Sequence, residues 1–317
     1  MKTTTALKIK DTAVIVNNPF EKMAQSWFEY NCDKAPTTLR AYAKSLQSFF
    51  AWLADNQITQ VTRKDFIGYR AYLVANFSAS TAKLRIAAVK VFAGWLASEG
   101  LYKNFTAGVR SVKDDEAEEY HVREALQLDE ARAVLRSFKG DTEKALRDAV
   151  IMRLMIGSGL RSCEIVRLDT ADLERRGKKF FLCVLGKGRS AKQKVEISKA
   201  AYDQLINYLN KRGATFKKGS PMFTSTANRN RGRRLQVQSI SRLAKKTFRA
   251  CGIDSSTLTC HSCRHSFATL LLKNGVDVRR VSKLLRHKSL RVTERYSHDL
   301  DREKDSSIED LSLLLDA

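Results

Sequence analysis

The sequence predicts a mainly α fold with one small antiparallel β-sheet, an α+β chain in two domains. Three observations predict it. Apolar residues recur at helical steps through residues 20–101 and again from 128 onward. A strand, basic loop, strand pattern interrupts them near 179–198. Between the two helical stretches, "VRSVKDDEAEEYHV" (109–122) is charged and aperiodic, so it reads as an exposed linker. The expected division is a helical domain over 18–108, a linker over 109–122 and a larger domain over 123–317.

Taken in order, Phe20 to Tyr30 reads as a short amphipathic helix. Thr37–Ile58 is a stronger one, with Leu39, Tyr42, Leu46, Phe49, Phe50 and Leu53 at three- and four-residue steps. Ser80–Leu101 echoes it, since Thr81 precedes Trp95 by the same fourteen residues that separate Thr38 from Trp52. Two such helices are too few for a repeat array and fit one small bundle. In the second domain "LDEARAVLRSF" and "EKALRDAVIMRLMIGSGL" resume the helical pattern, the latter ended by Gly157 and Gly159. "KFFLCVLGKG" and "KVEIS" read as two strands of a hairpin, with the basic loop 187–192 between them. Helical patterns return from Ala201.

Charge narrows the partners. Fifty-seven Lys and Arg against 34 Asp and Glu leave +23, an excess that opposes folding by self-repulsion and suits a polyanion. Nucleic acid leads, because each neutralised phosphate releases condensed counterion; an anionic membrane surface is the runner-up. Residues 211–249 hold twelve basic residues and no acidic one, which reads as a phosphate-facing surface rather than a merely solvated face. Six scattered cysteines point to reduced, buried thiols inside the cell. With no apolar run long enough for a signal or a span, the expectation is a soluble cytoplasmic protein, associated with the nucleoid.

The stretch "TCHSCRHS" (259–266) raises the question of a metal knuckle. A structural zinc needs about four ligands, and no second CxxC exists. Neighbours such as Cys260 and His261 would also diverge on a helix, so no metal is expected. As a helix stopped by Gly275, the stretch puts Cys263, Phe267, Leu270 and Leu271 on a buried face. His261 and Arg264 then share another face in the first turn, where helix N–H groups favour an anion. A guanidinium fork matches two phosphate oxygens, and an imidazole beside it can move a proton.

Other motifs accompany it in order. "GLRSCEI" carries Arg161 and Glu164, "LGKGRSAKQ" carries Lys187, "LLRHKS" carries His287, and "TERYSH" carries Tyr296 nine residues later. With "HSCRHSFAT", these pieces resemble the tyrosine recombinase family, the Xer, Cre and phage-integrase group. The resemblance covers about residues 20 to 315, because the helices "TTLRAYAKSLQSFFAWL" and "STAKLRIAAVKVFAGWL" look like the family's core-binding domain. Two departures stand out. Arg286 occupies the place before the histidine where the family usually has Gly, and Cys163 and Cys263 fill positions often held by other residues.

The resemblance implies a two-domain, C-shaped clamp on double-stranded DNA: an N-terminal helical bundle and a tyrosine-recombinase catalytic domain. It implies Tyr296 as nucleophile, Arg161 and Arg264 on the non-bridging oxygens, and Lys187 as general acid. His261 would be the base for the tyrosine proton, His287 a donor to the phosphate, and Glu164 an orienting partner of Arg161. No metal or other cofactor is implied, the guanidiniums supplying the positive charge. Lys44, Lys83, Arg85, Arg242 and Lys245 are expected on DNA. The tail "SSIEDLSLLLD" opens with a Ser306/Glu309 capping box and sets Ile308, Leu311, Leu314 and Leu315 on one face. In the family such a helix (306–316 here) docks on a neighbour in a tetramer. No arm-type domain is recognised before residue 18, favouring a simple recombinase. The competing readings are a type IB topoisomerase-like nicking-closing enzyme and a non-enzymatic DNA-binding protein.

Overall fold

A computed structural model describes residues 19–112, 125–186, 188–253, 255, 257–287, 289–290 and 293. Lys187, Tyr296 and the tail helix expected over 306–316 lie outside the described residues. The chain forms two compact units, Met1–Tyr120 and His121–Ala317.

The first unit contains four helices among its described residues: α1 (Pro19–Tyr30), α2 (Pro36–Asp55), α3 (Arg63–Asn76) and α4 (Ala79–Ser98). Pro36 begins α2 at a position where a missing N–H costs nothing. The apolar stripe of α2 is buried as its spacing predicts, with Leu46, Phe49 and Leu53 sealed against Ile86, Val89 and Phe92 of α4. Helix α3 was not expected. Its pattern is irregular and holds Gly68 mid-helix, yet Thr62 and Asp65 form a capping box at its start. Phe66, Tyr69 and Leu73 then enter the same aromatic core. Val109 is also buried in it, and its carbonyl accepts from Lys90 while that of Arg110 accepts from Arg70. The exposed linker expected from 109 therefore does not begin there; residues 113–122 lie outside the described residues.

Lys44 is exposed on α2, and Lys83 is half-buried on α4. Arg85 is half-buried and engaged within its own unit. Its guanidinium donates to Ser48 Oγ at 2.8 Å and stacks 3.9 Å from the Phe77 ring centroid, so it fastens α4 to α2.

The second unit runs α5 (Leu128–Arg136), α6 (Glu143–Ser158) and the short α7 (Ser162–Arg167). A sheet follows: β1 (Leu173–Arg176), β2 (Lys179–Leu185) and β3 (Lys192–Ile197), antiparallel in the order β1-β2-β3. The third strand, β1, is an addition to the hairpin read from the sequence. "LERR" is too short and charged to announce itself, but it pairs in register from Leu173↔Leu182 to Arg176↔Lys179. Then come α8 (Lys199–Lys211), α9 (Val237–Ala250), α10 (Cys260–Lys273) and α11 (Val278–Leu285). No described helix is long and apolar enough to cross a membrane. Of the free cysteines, Cys260 and Cys263 are buried, as expected, whereas Cys32 is exposed.

Helix α6 is the spine of this unit, burying Val150, Ile151, Leu154 and Met155. It continues through Gly157, where the pattern predicts a stop, and ends at Gly159 in the left-handed region at φ 60°. A Cβ there would lie 2.7 Å from Phe267 Cδ1 and 2.9 Å from Leu285 Cδ2. Gly159 thus turns the chain and lets α10 and α11 close on the end of α6. Gly159→Ala is expected to destabilise this unit by roughly 2–4 kcal/mol through strain and overlap, measured by denaturant unfolding.

Candidate active site

The site grows from the six-residue helix α7. Arg161 stands at its N-cap with extended backbone (φ −79°, ψ 149°), and Glu164 reaches back one turn. Glu164 Oε2 accepts from the Arg161 backbone N–H, and Oε1 accepts from Arg161 Nη1, both at 2.9 Å. The carboxylate is fully buried, while 27% of the Arg161 side chain remains exposed. At the other end of α7, Arg167 Nη1 donates to Gly186 O at 3.3 Å, tethering the hairpin end next to Lys187.

Helix α10 supplies the next groups. Thr259 caps it, its hydroxyl accepting from the His261 N–H at 3.2 Å, while the Ser262 hydroxyl accepts from the Thr259 N–H. Ser266 donates to Ser262 O and accepts from Leu126 N–H at 2.8 Å, pinning the start of the unit to this helix. His261 is exposed in the first turn. Arg264, expected beside it on an open face, is instead buried. Its Nη1 donates to Gly159 O and its Nη2 to Leu285 O. These carbonyls belong to the C-terminal ends of α6 and α11, where helices leave carbonyls without intrahelical partners and carry partial negative charge. The fork is thereby fixed in plane and direction. The buried set of α10 also differs from the predicted stripe. Cys260, Ser262, Cys263, Arg264, Ser266 and Ala268 are buried, whereas Phe267, Leu270 and Leu271 are only partly so. Serines hydrogen-bonding within the helix let a polar face pack. Burial pushes the Cys263 thiol up, keeping it protonated.

Helix α11 ends in a Schellman motif, with Arg286 N–H donating to Lys283 O and His287 N–H to Ser282 O. Arg286 is the left-handed residue of that motif, at φ 57°. Its side chain turns inward, 8% exposed, and Nη2 donates to Glu164 Oε2 at 2.8 Å. Glu164 is therefore shared by two arginines. Burial pushes its carboxyl up, but Arg286, the Arg161 backbone and guanidinium, and Arg264 together hold it below the usual range. The role of Arg286 was missed, although its replacement of a glycine was the visible clue.

His287 Nδ1 lies 2.7 Å from the buried Thr293 hydroxyl. Burial, followed by Arg264, Arg161 and Arg286, lowers its pKa to about 4. Arg161, Glu164, Arg264 and His287 are thus brought together; His261 lies one turn from Arg264 on the same helix. Arg242 and Lys245 are exposed on α9, with Lys246 and Arg249 at helical spacing. The acid-free segment is not uniformly a phosphate surface. Arg234 ties Val166 O, Leu168 O and Asp169 together, and Arg212 donates to Pro221 O. Among the described residues no group of three His, Cys, Asp or Glu side chains could hold a metal ion.

Because the folded pKa of His287 lies below the usual 6.5, the unfolded chain binds the proton more tightly. Its contribution to stability is full above about pH 6.5 and is lost as pH falls toward 4. An imidazole NMR titration of the DNA-free protein should place the His287 midpoint near 4; a midpoint above 6 would contradict this environment.

Known proteins resemble this chain along most of its length. The phage integrase family model covers residues 124–303, and the N-terminal SAM-like domain of phage integrases covers 25–100. The chain is 30% identical over 287 residues to tyrosine recombinase XerC of Myxococcus xanthus, spanning 88% of this chain and 93% of that one. In fold it resembles the XerH site-specific recombinase in a post-cleavage complex with palindromic difH (TM-score 0.73, 18% identity, 90% of this chain and 84% of that chain). It also resembles a lambda integrase tetramer bound to a Holliday junction (TM-score 0.66, 18% identity, 87% and 76%). With its ordered motifs and the matched catalytic and SAM-like domains, this chain belongs to the phage integrase family of tyrosine recombinases, DNA strand-transferring enzymes of site-specific recombination.

Proposed function

We propose that this protein cuts and rejoins double-stranded DNA through a 3′-phosphotyrosyl intermediate and a Holliday junction, acting as a homotetramer on two sites. The observation that carries the reading is the convergence of Arg161, Arg264 and His287 around the buried Glu164 and the ends of α6 and α11. Three arginines against one carboxylate leave the pocket cationic before substrate arrives, the condition under which a phosphoryl group gaining charge is stabilised without reorganisation.

In this reading the Tyr296 hydroxyl attacks phosphorus and its proton passes to His261. The P–O5′ bond breaks, its electron pair leaves on O5′, and Lys187 protonates that oxygen. Arg161 and Arg264 address the non-bridging oxygens. In the neutral tautomer whose Nδ1 accepts from the Thr293 hydroxyl, His287 carries its proton on Nε2 and donates a hydrogen bond to the same phosphate. Attack by the 5′-hydroxyl of a partner strand reverses these steps and restores a phosphodiester, so the bond energy is kept and no nucleotide triphosphate is consumed. Lys44, Lys83, Arg242 and Lys245 contact the DNA backbone, so that both domains hold the duplex. The similarity to XerH on difH and to the lambda integrase tetramer on a Holliday junction supports paired sites.

Two experiments test the reading, on a duplex that the full-length protein selects from a random-sequence pool, carrying a nick beside the cleavage position. Tyr296→Phe should bind within about two-fold of the parent and form no protease-sensitive covalent adduct. A persisting adduct would place the nucleophile elsewhere. Deleting residues 306–317 should leave single-site binding intact while weakening cooperative pairing of sites and abolishing strand exchange, because burying the apolar face of that helix against a neighbour supplies the coupling. Recombination at the parental rate would show that the tail does not couple protomers.

A further inference from the structure

At residue 286 the backbone and the side chain ask for different amino acids. The position closes the Schellman motif of α11 at φ 57°, where glycine sits without steric cost. An arginine there tolerates strain, and it is not placed to reach into solvent. Its side chain is 8% exposed, with Nη2 2.8 Å from Glu164 Oε2 and Nη1 3.1 Å from Leu284 O. The same Oε2 accepts the Arg161 N–H, and Oε1 accepts Arg161 Nη1.

We propose that Arg286 is a positioning residue for Arg161, acting through Glu164: it fixes the buried carboxylate that orients the Arg161 guanidinium, and it ties the His287 turn to the start of α7. The inference rests on the reading of Arg161 as a phosphate ligand. Arg161 engages both carboxylate oxygens through its own N–H and guanidinium, so with Arg161 alone the carboxylate is free to shift together with that turn. Arg286 adds a donor to Oε2 from the end of a second helix and anchors the carboxylate to a point outside the Arg161 turn. The charged groups that face Glu164 are Arg161 from α7, Arg286 from the end of α11 and Arg264 from α10, and Arg286 is the strongest opponent of the burial that would otherwise protonate it. Without Arg286, Glu164 takes up a proton more readily and its hold on Arg161 weakens.

The test measures single-turnover cleavage by the full chain on the selected, nicked duplex. Arg286→Gly should bind normally and cleave about ten- to a hundred-fold more slowly, the cost of a misplaced guanidinium. The deficit should widen as pH falls from about 7.5 to 5.5, because the carboxyl then protonates more easily. Arg286→Lys, which keeps the charge but not the planar fork, should fall between Arg286→Gly and the parent. Glu164→Gln and the Arg286→Gly/Glu164→Gln double variant should cleave at equal rates, since both residues act through one carboxylate. A double variant slower than Glu164→Gln by the full Arg286→Gly factor overturns the relay. If Arg161→Ala is inactive while Arg286→Gly cleaves like the parent, the relay fails and the site reading stands. Parental cleavage by Arg161→Ala overturns both. Should Arg286→Gly not fold, an unchanged rate and pH profile in Arg286→Lys overturns the relay.

Discussion

The buried carboxylate of Glu164 is the constraint on which the catalytic unit depends. An ionised carboxyl withdrawn from water must be matched by nearby donors, and removing one partner of such a buried pair typically costs about 3–5 kcal/mol. Here the donors come from places far apart in the chain: the N-cap of α7 and the left-handed cap of α11, the latter 122 residues beyond Glu164. Satisfying one charge therefore brings the end of α11, and with it His287, to the start of α7. The buried Arg264 meets the opposite need. Its positive fork takes the Gly159 and Leu285 carbonyls, so a cation in a dry environment is balanced by two helix C-termini. Gly159 permits this closure, because a side chain there would occupy the space of Phe267 and Leu285.

The electrostatic outcome follows from that packing. Burial first, and then the positive charge of Arg264, Arg161 and Arg286 that Glu164 leaves uncompensated, lower the His287 pKa to about 4. A neutral imidazole can donate from one nitrogen while the other is fixed by Thr293, whereas an imidazolium would add a further cation that the pocket already disfavours. The stored positive potential awaits an anion. This is pre-organisation in a literal sense, since folding has already assembled the charges.

The N-terminal unit uses different physics. Its helices are held by interlocking aromatic rings, with Phe49 meeting Phe50, Phe66, Tyr69 and Phe105 within 6.5 Å between centroids. Such a core consumes little polar surface and leaves cations such as Lys44 on the outside. Arg85 adds a cation–π contact to this aromatic packing. Stacked on Phe77 and bonded to Ser48, it serves the packing of its own unit.

By itself the sequence determined the family and the mainly helical class. These are carried by short motifs and by helical periodicity, both local along the chain, and this is why the stripe of α2 and the glycine stops Gly159 after α6 and Gly275 after α10 were legible. What it left undecided is non-local. β1 exists because β2 offers it an edge, and α3 because Phe66, Tyr69 and Leu73 find an aromatic core that its weak periodicity does not announce. The burial of Arg264 depends on two carbonyls 105 and 21 residues away. Arg286 was visible as an arginine in a glycine's place, yet nothing along the chain says that its side chain would turn inward. Only the tertiary structure decided that, because the partner that stabilises a buried charge is chosen by proximity in space.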